Sequence, residues 1–115
     1  HRGGLGIRRT YEFLDDCQCV FYTEQSNPDF GAWGVEGGAT GRPARLTLVR
    51  TDGTTVPVRK MRVDVAKGDR LVTITGGGGG FGDPRQRERD RVAVDLREGK
   101  VSPEAAHDVY GFAEA

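Results

Sequence analysis

Residues Gly76 to Gly80 are five consecutive glycines, continued by Phe81-Gly82-Asp83-Pro84. Glycine loses more backbone freedom on ordering than any other residue, so such a run excludes an ordinary helix or strand interior. A chain keeps it for positive φ, for close backbone approach, or for looseness. The flanks argue against looseness. Arg70 to Thr75 alternates as a strand does, and the charged segment after Pro84 has helical spacing. The run reads as a strand-to-helix switch, which makes Gly76, Gly77, Gly78, Gly79, Gly80, Phe81 and Asp83 candidates for a loop or interface role.

Upstream the pattern is β. Ile7 to Leu14 alternates, Asp15-Asp16 reads as a turn, and Cys17 to Thr23 as a second strand, with a hairpin the economical pairing. Ala44 to Arg50 and Thr54 to Arg59 flank Asp52-Gly53, the strongest hairpin signal in the chain, and Pro57 demotes the second run to an edge. Met61 to Val65 and Arg70 to Thr75 flank the turn Lys67-Gly68-Asp69. Between Glu24 and Pro43 the pattern dissolves into a glycine-punctuated loop carrying the only tryptophan, Trp33, and the pair Gly37-Gly38. Long loops of this kind usually face a partner or a ligand, and Trp33 favours an anchor on a neighbouring surface over a lid.

Two short helices follow. Arg87 to Glu98 carries an apolar stripe of Val92, Ala93 and Leu96 and ends at Gly99; Ser102-Pro103 caps a second helix with Ala105, Ala106, Val109 and Tyr110, ended by Gly111. The expected fold is mainly β (α+β): an antiparallel β-sandwich or barrel of about six strands, then two short C-terminal helices. Residues 1–84 would form the β unit and 85–115 a helical pair packed on it, within one domain. The absence of an initiator methionine before His1 suggests a segment of a longer subunit.

Charge and composition exclude several classes. The 17 basic and 17 acidic residues cancel, so no global field recruits nucleic acid or an acidic membrane surface. No apolar run approaches the roughly 20 residues of a membrane span. Two cysteines are too few for a disulfide framework, making a reduced, cytoplasmic setting the default.

No catalytic constellation emerges. The glycine run lacks the Gly-Lys-Ser/Thr of a phosphate loop, so packing is favoured over phosphate contact. Cys17 and Cys19 share a strand face, but a closed zinc site wants four ligands and the only histidines are His1 and His107. The expectation is a buried thiol pair and no metal. Asp15-Asp16 reads as turn chemistry. Arg85, Arg87, Arg89 and Arg91, interleaved with Glu88 and Asp90, read as a solvated helix face.

Several motifs together carry a resemblance: Gly77 to Pro84, the run Asp95-Leu96-Arg97-Glu98-Gly99-Lys100-Val101-Ser102-Pro103-Glu104-Ala105-Ala106, and Tyr110-Gly111. Upstream, Arg2-Gly3-Gly4-Leu5-Gly6, Trp33-Gly34-Val35-Glu36-Gly37-Gly38 and Lys67-Gly68-Asp69 stand in the matching order. In these, nearly the whole chain resembles the C-terminal end of the hydantoinase B/oxoprolinase family. The resemblance implies the last domain of a B-type subunit, working with an A-type ATP-using subunit to hydrolyse cyclic amides such as hydantoins or 5-oxoproline. ATP and a divalent metal are implied for the whole enzyme and no cofactor for this segment, whose role would be structural and at subunit interfaces. Close relatives carboxylate ketones with the same machinery. The alternatives are therefore a ketone carboxylase domain or a free-standing β-domain used for binding. The resemblance places no catalytic residue here.

Overall fold

The computed structural model describes residues 1–113. The last two residues of the segment assigned to the helical pair, 114 and 115, lie outside the described residues. Six strands form two antiparallel sheets: β1 (Arg8–Glu12), β2 (Cys17–Phe21), β3 (Arg45–Val49), β4 (Thr55–Val58), β5 (Met61–Val65) and β6 (Arg70–Ile74). Four of them make a sheet in the order β1-β6-β3-β4, and β2 pairs only with β5. The mainly β, α+β expectation holds as a two-layer arrangement; the barrel alternative does not, because the described strands form two separate sheets.

The expected β1–β2 hairpin is absent. β1 runs against β6 and β2 against β5, and the residue numbers of every pair in both ladders sum to 82, from Arg8↔Ile74 through Glu12↔Arg70 to Cys17↔Val65 and Phe21↔Met61. One register therefore continues across both sheets. Residues 8–21 are one long strand bent at residues 13–16, and its partner, residues 61–74, bends at 66–69. Strands that switch sheets at such a corner are a standard way to build packed layers. Local turn signals at Asp15-Asp16 suggested a reversal; what they supply is the bend.

Asp69 holds that corner. Its side chain is only 1% exposed. The carboxylate accepts from the Ala66 amide (3.0 Å), the Thr51 amide (3.1 Å) and the Arg50 guanidinium (2.8 Å). A buried charge survives only with such partners. The Asp69 backbone adds bonds of its own, its carbonyl accepting from Phe13 N–H and its amide donating to the Ala66 carbonyl. Gly68, at φ +90, makes the turn possible.

Between the layers lies one apolar cluster. The two-stranded sheet contributes Phe21 and Val65, and the four-stranded sheet contributes Leu48, Val58 and Leu71; Cys19, Leu46, Val56 and Val63 pack around them. The β3–β4 hairpin turns at Asp52-Gly53 as expected, with Gly53 at φ +85, and β4, with Pro57, is a sheet edge.

The helices are α1 (Arg89–Arg97) and α2 (Pro103–Asp108). The first starts two residues later than its spacing suggested, because Pro84–Gln86 winds into a short 3-10 turn capped by Asp83. Ser102 caps α2 through the Ala105 amide, and Gly99 (φ +70) ends α1. Val92, Val101 and Ala106 form their own small core with Leu96, Ala105, Tyr110 and Phe112.

The whole is long and thin, 52 × 28 × 17 Å, with a radius of gyration of 17.6 Å. A compact domain of this length has about 13 Å. The accessible surface is 8165 Å², against about 6,200 Å² for a compact monomer of this mass.

Hydrogen bonds from Ala66 and Arg50, outweighing the cost of burial, hold the Asp69 carboxyl below its ordinary value. Its stabilisation is therefore fully present above the unfolded carboxylate pKa of about 3.9 and is lost as pH falls through the lower folded value. Asp69→Asn is expected to lower the melting temperature at pH 7 by about 5 °C or more. It should also flatten the acid limb of the stability profile, measured by thermal denaturation across pH.

Candidate functional site

The glycine run is the centre of a backbone bundle. Gly77 N–H donates to the Arg42 carbonyl (3.1 Å), Gly78 to Gly4 (3.0 Å), Gly80 to Ala39 (2.9 Å), Phe81 to His1 (2.9 Å) and Gly82 to Val35 (2.9 Å). Successive amides thus turn between the N-terminal segment, residues 1–6, and the Trp33 loop, residues 31–42. None of Gly76 to Gly80 has positive φ. Close approach, rather than a left-handed backbone, is what the glycines serve.

The crowding falls largely on the neighbours. A Cβ on Gly3 would lie 2.2 Å from the Gly78 carbonyl oxygen, one on Gly38 2.1 Å from that of Gly80, and one on Gly41 2.3 Å from that of Gly77. Within the run, Gly79 would meet the Trp33 carbonyl oxygen at 2.0 Å, whereas Gly78 and Gly80 keep 3.0 and 3.4 Å. Gly37 serves differently, sitting at φ +87 after Glu36 at φ +51 in a turn closed by Gly38 N–H to the Val35 carbonyl. This turn brings Val35 beside Phe81 in a parallel bridge. The loop that looked patternless is therefore tied down by backbone bonds along its length. Its Trp33 side chain stays outside, 80% exposed, and Phe30 and Phe81 are exposed as well. Asp83, on the same stretch, accepts from the Arg85 amide as the cap of the 3-10 turn.

Phosphate contact finds no support here. The amides of Gly77, Gly78, Gly80, Phe81 and Gly82 are all committed to carbonyls, and α1 begins seven residues beyond Gly82. No group of three or more His, Cys, Asp or Glu side chains among the described residues could hold a metal. The chain's own residues thus do not fit ATP or a divalent ion. Beside the bundle runs a groove of about 420 Å³ lined by Leu5, Ile7, Ile74, Gly78, Val109 and Tyr110. Arg2, Arg42 and Arg87 also border it, but no carboxylate does, so it offers no acid–base carboxylate pair for hydrolysis.

The sequence did not reveal the polar joint between bundle and helices. Asp95, 5% exposed on the Val92 face of α1, accepts from Arg2 Nε (2.9 Å) and Arg87 Nη2 (2.6 Å). Arg87, expected on a solvated face, is instead largely buried over the Tyr110 ring, 5.5 Å from its centroid; Arg85, Arg89 and Arg91 are exposed as expected. The only available clue was an acidic residue at helical spacing from Val92.

The thiol pair also departs from expectation. Cys17 is exposed and Cys19 half-buried, with their sulfurs 3.7 Å apart. Burial, and then the neighbouring Cys17, push the Cys19 thiol up, the opposite of an activated nucleophile.

Residues 1–84 match the model of the hydantoinase B/oxoprolinase family. The chain belongs to that family. It is 32% identical over 111 residues to an uncharacterised protein of Methanocaldococcus jannaschii, covering 96% of this chain and 19% of that protein. A Pseudomonas protein named as the B chain of a D-/L-hydantoinase is 29% identical over 114 residues, again 96% of this chain and 19% of the relative. The crystal structure of the ATP-dependent caprolactamase from Pseudomonas jessenii superposes with a TM-score of 0.73 at 28% identity, over 96% of this chain and 20% of that one. The family member thus spans about a fifth of the length of its curated relatives. No described helix is long and apolar enough to cross a membrane.

Gly79→Ala and Gly38→Ala, each forced into a carbonyl oxygen, are expected to lower the melting temperature by about 5 °C or more. Gly4→Ala, whose Cβ meets nothing within 4 Å, should leave it within about 1 °C. Asp95→Ala, leaving two arginines without their anion, should destabilise by roughly 3 kcal/mol in chemical denaturation.

Proposed function

We propose that this chain is the C-terminal domain of the B-type subunit of an ATP-dependent cyclic-amide hydrolase. In this reading it has a structural and subunit-interface role and supplies no catalytic residue. The observation that carries the reading is the surface. With 8165 Å² accessible, the chain exposes about 2,000 Å² more than a compact monomer of its mass. That surplus exceeds the roughly 800 Å² that one partner contributes to a standard interface. A segment of this shape is built to be covered. The remainder of the B-type subunit and an A-type ATP-using subunit are the covering partners in this reading, with exposed Trp33, Phe30 and Phe81 as anchors and the glycine run holding their backbone in place. In the same reading ATP, metal and catalysis reside elsewhere in the enzyme. The division at residue 84, with the helical pair as an appendage joined through Asp95, belongs to the same proposal, as does a cytoplasmic location.

Similarity to a caprolactamase and to a protein named for hydantoinase supports ring-opening hydrolysis over ketone carboxylation. The full-length protein, purified with its co-expressed partner subunit, is expected to open a lactam or hydantoin ring only when ATP is supplied. Turnover of a ketone that requires bicarbonate, with no ring opening, would assign it to the carboxylases instead. Trp33→Ala should weaken subunit association by tenfold or more, since buried tryptophan anchors commonly carry about 2 kcal/mol or more of binding. Sedimentation of the complex measures this, and unchanged association would remove Trp33 from the interface.

A further inference from the structure

We propose that β1 is a self-pairing edge, through which two copies of this chain join their four-stranded sheets antiparallel about a two-fold axis at Thr10. β1 and β4 are the two edges of that sheet, and they are built differently. In the β3–β4 ladder Arg50 N–H donates to the Thr54 carbonyl. By alternation Val56 and Val58 face β3, while Thr55 and Pro57 face outward. Pro57 has no N–H, which blunts that edge. In the β1–β6 ladder Thr75 N–H donates to the Ile7 carbonyl and Phe13 N–H to the Asp69 carbonyl, both at 2.9 Å. The odd-numbered residues of β1 therefore face β6, and the amides and carbonyls of Arg8, Thr10 and Glu12 face outward. All five residues of β1 are exposed, and no described strand pairs with its outer side.

The order of charges along this open edge makes it complementary to itself. Centred on Thr10, an antiparallel copy brings Arg8 opposite Glu12 of the second copy, and Glu12 opposite that copy's Arg8. Opposite charges directly across a ladder are favourable. Neither Arg8 nor Glu12 has an ion-pair partner among the described residues, so both charges are available. Within its own sheet Glu12 lies opposite Arg70, so the second copy's Arg8 gives it a cation on each side. The same register sets Arg9 opposite Tyr11 on the inner face, where the guanidinium can lie over the ring. Arg8, Thr10 and Glu12 all fall at hydrogen-bonded positions, where each residue pair exchanges two backbone bonds. A slip that centres on Arg9 sets that arginine against itself, and one that centres on Tyr11 separates Arg8 from Glu12. Charge order thus fixes a single two-fold register, as an isologous interface requires.

The test is sedimentation equilibrium of the full-length protein over a dilution series, comparing wild type with Arg8→Glu, Glu12→Arg and an equal mixture of the two variants. Wild type should self-associate through two copies of this chain. Each variant alone sets like charges across the axis at both ends and should associate about tenfold more weakly or worse. Thermal melting checks that both remain folded. The mixture should regain association to within about threefold of wild type, because the acidic strand of one variant then faces the basic strand of the other. Variants that associate alone as wild type does, or a mixture no better than its components, would overturn the proposal. So would a wild type that sediments as one copy. Protection of the Thr10 amide from hydrogen exchange in that single copy would assign the edge to a strand from elsewhere in the protein.

Discussion

Backbone contact without side chains is the constraint on which the rest of this structure depends. At Gly3, Gly38 and Gly41 the carbonyls of the glycine run come so near that a single methyl group would collide with them. Hydrogen bonds to carbonyls then replace the side-chain packing that glycine cannot supply. This arrangement joins three distant parts of the sequence, residues 1–6, 31–42 and 76–82, with almost no apolar burial. It is also rigid for a physical reason: residues 77–82 donate to carbonyls of both other segments and Val35 donates back to Gly80, so none can leave without exposing unpaired groups.

The sandwich achieves its own coherence by a different route. A single register runs through both ladders, and the bend between them is stabilised by one carboxylate with three donors. Leu48, fully buried, packs where the bent ladder and the β3–β4 hairpin meet. The core is small, but the corner residue Asp69, just before β6, ties together the residues that follow β3 and β5 through hydrogen bonds that hydrophobic burial alone would not orient. The fold therefore has two organising devices, a glycine bundle and a polar corner, at opposite ends of β6.

How much of this was legible in the sequence follows from the range of each interaction. The Asp52-Gly53 turn, the Ser102-Pro103 cap and the Gly99 stop act over a few residues, and each does in the structure what its local chemistry implies. The strand segments are readable from alternation, but alternation does not name a partner, and nothing local to β1 points past the neighbouring β2 to β6, its partner far along the chain. The glycine run announced close approach without revealing what approaches it; Gly3, Gly38 and Gly41 share the demand from elsewhere in the chain. Asp95 and Arg87 were hidden for a simpler reason. In a charged helical segment nothing local separates the arginine that turns inward over Tyr110 from those that face water.

These features converge on the character of the surface. The amides of Gly77, Gly78, Gly80, Phe81 and Gly82 are spent on the carbonyls of Arg42, Gly4, Ala39, His1 and Val35, which leaves them no donor for a phosphate. What a loop tied down in this way does well is hold aromatic side chains at fixed positions facing outward. Trp33, Phe30 and Phe81 are held in this way, on a body too elongated to bury them itself. Fixing a side chain before contact removes part of the ordering cost of association. In the proposed reading this glycine-built platform with its exposed aromatics serves assembly, and the polar Asp95 joint ties to it a helical pair that keeps a core of its own.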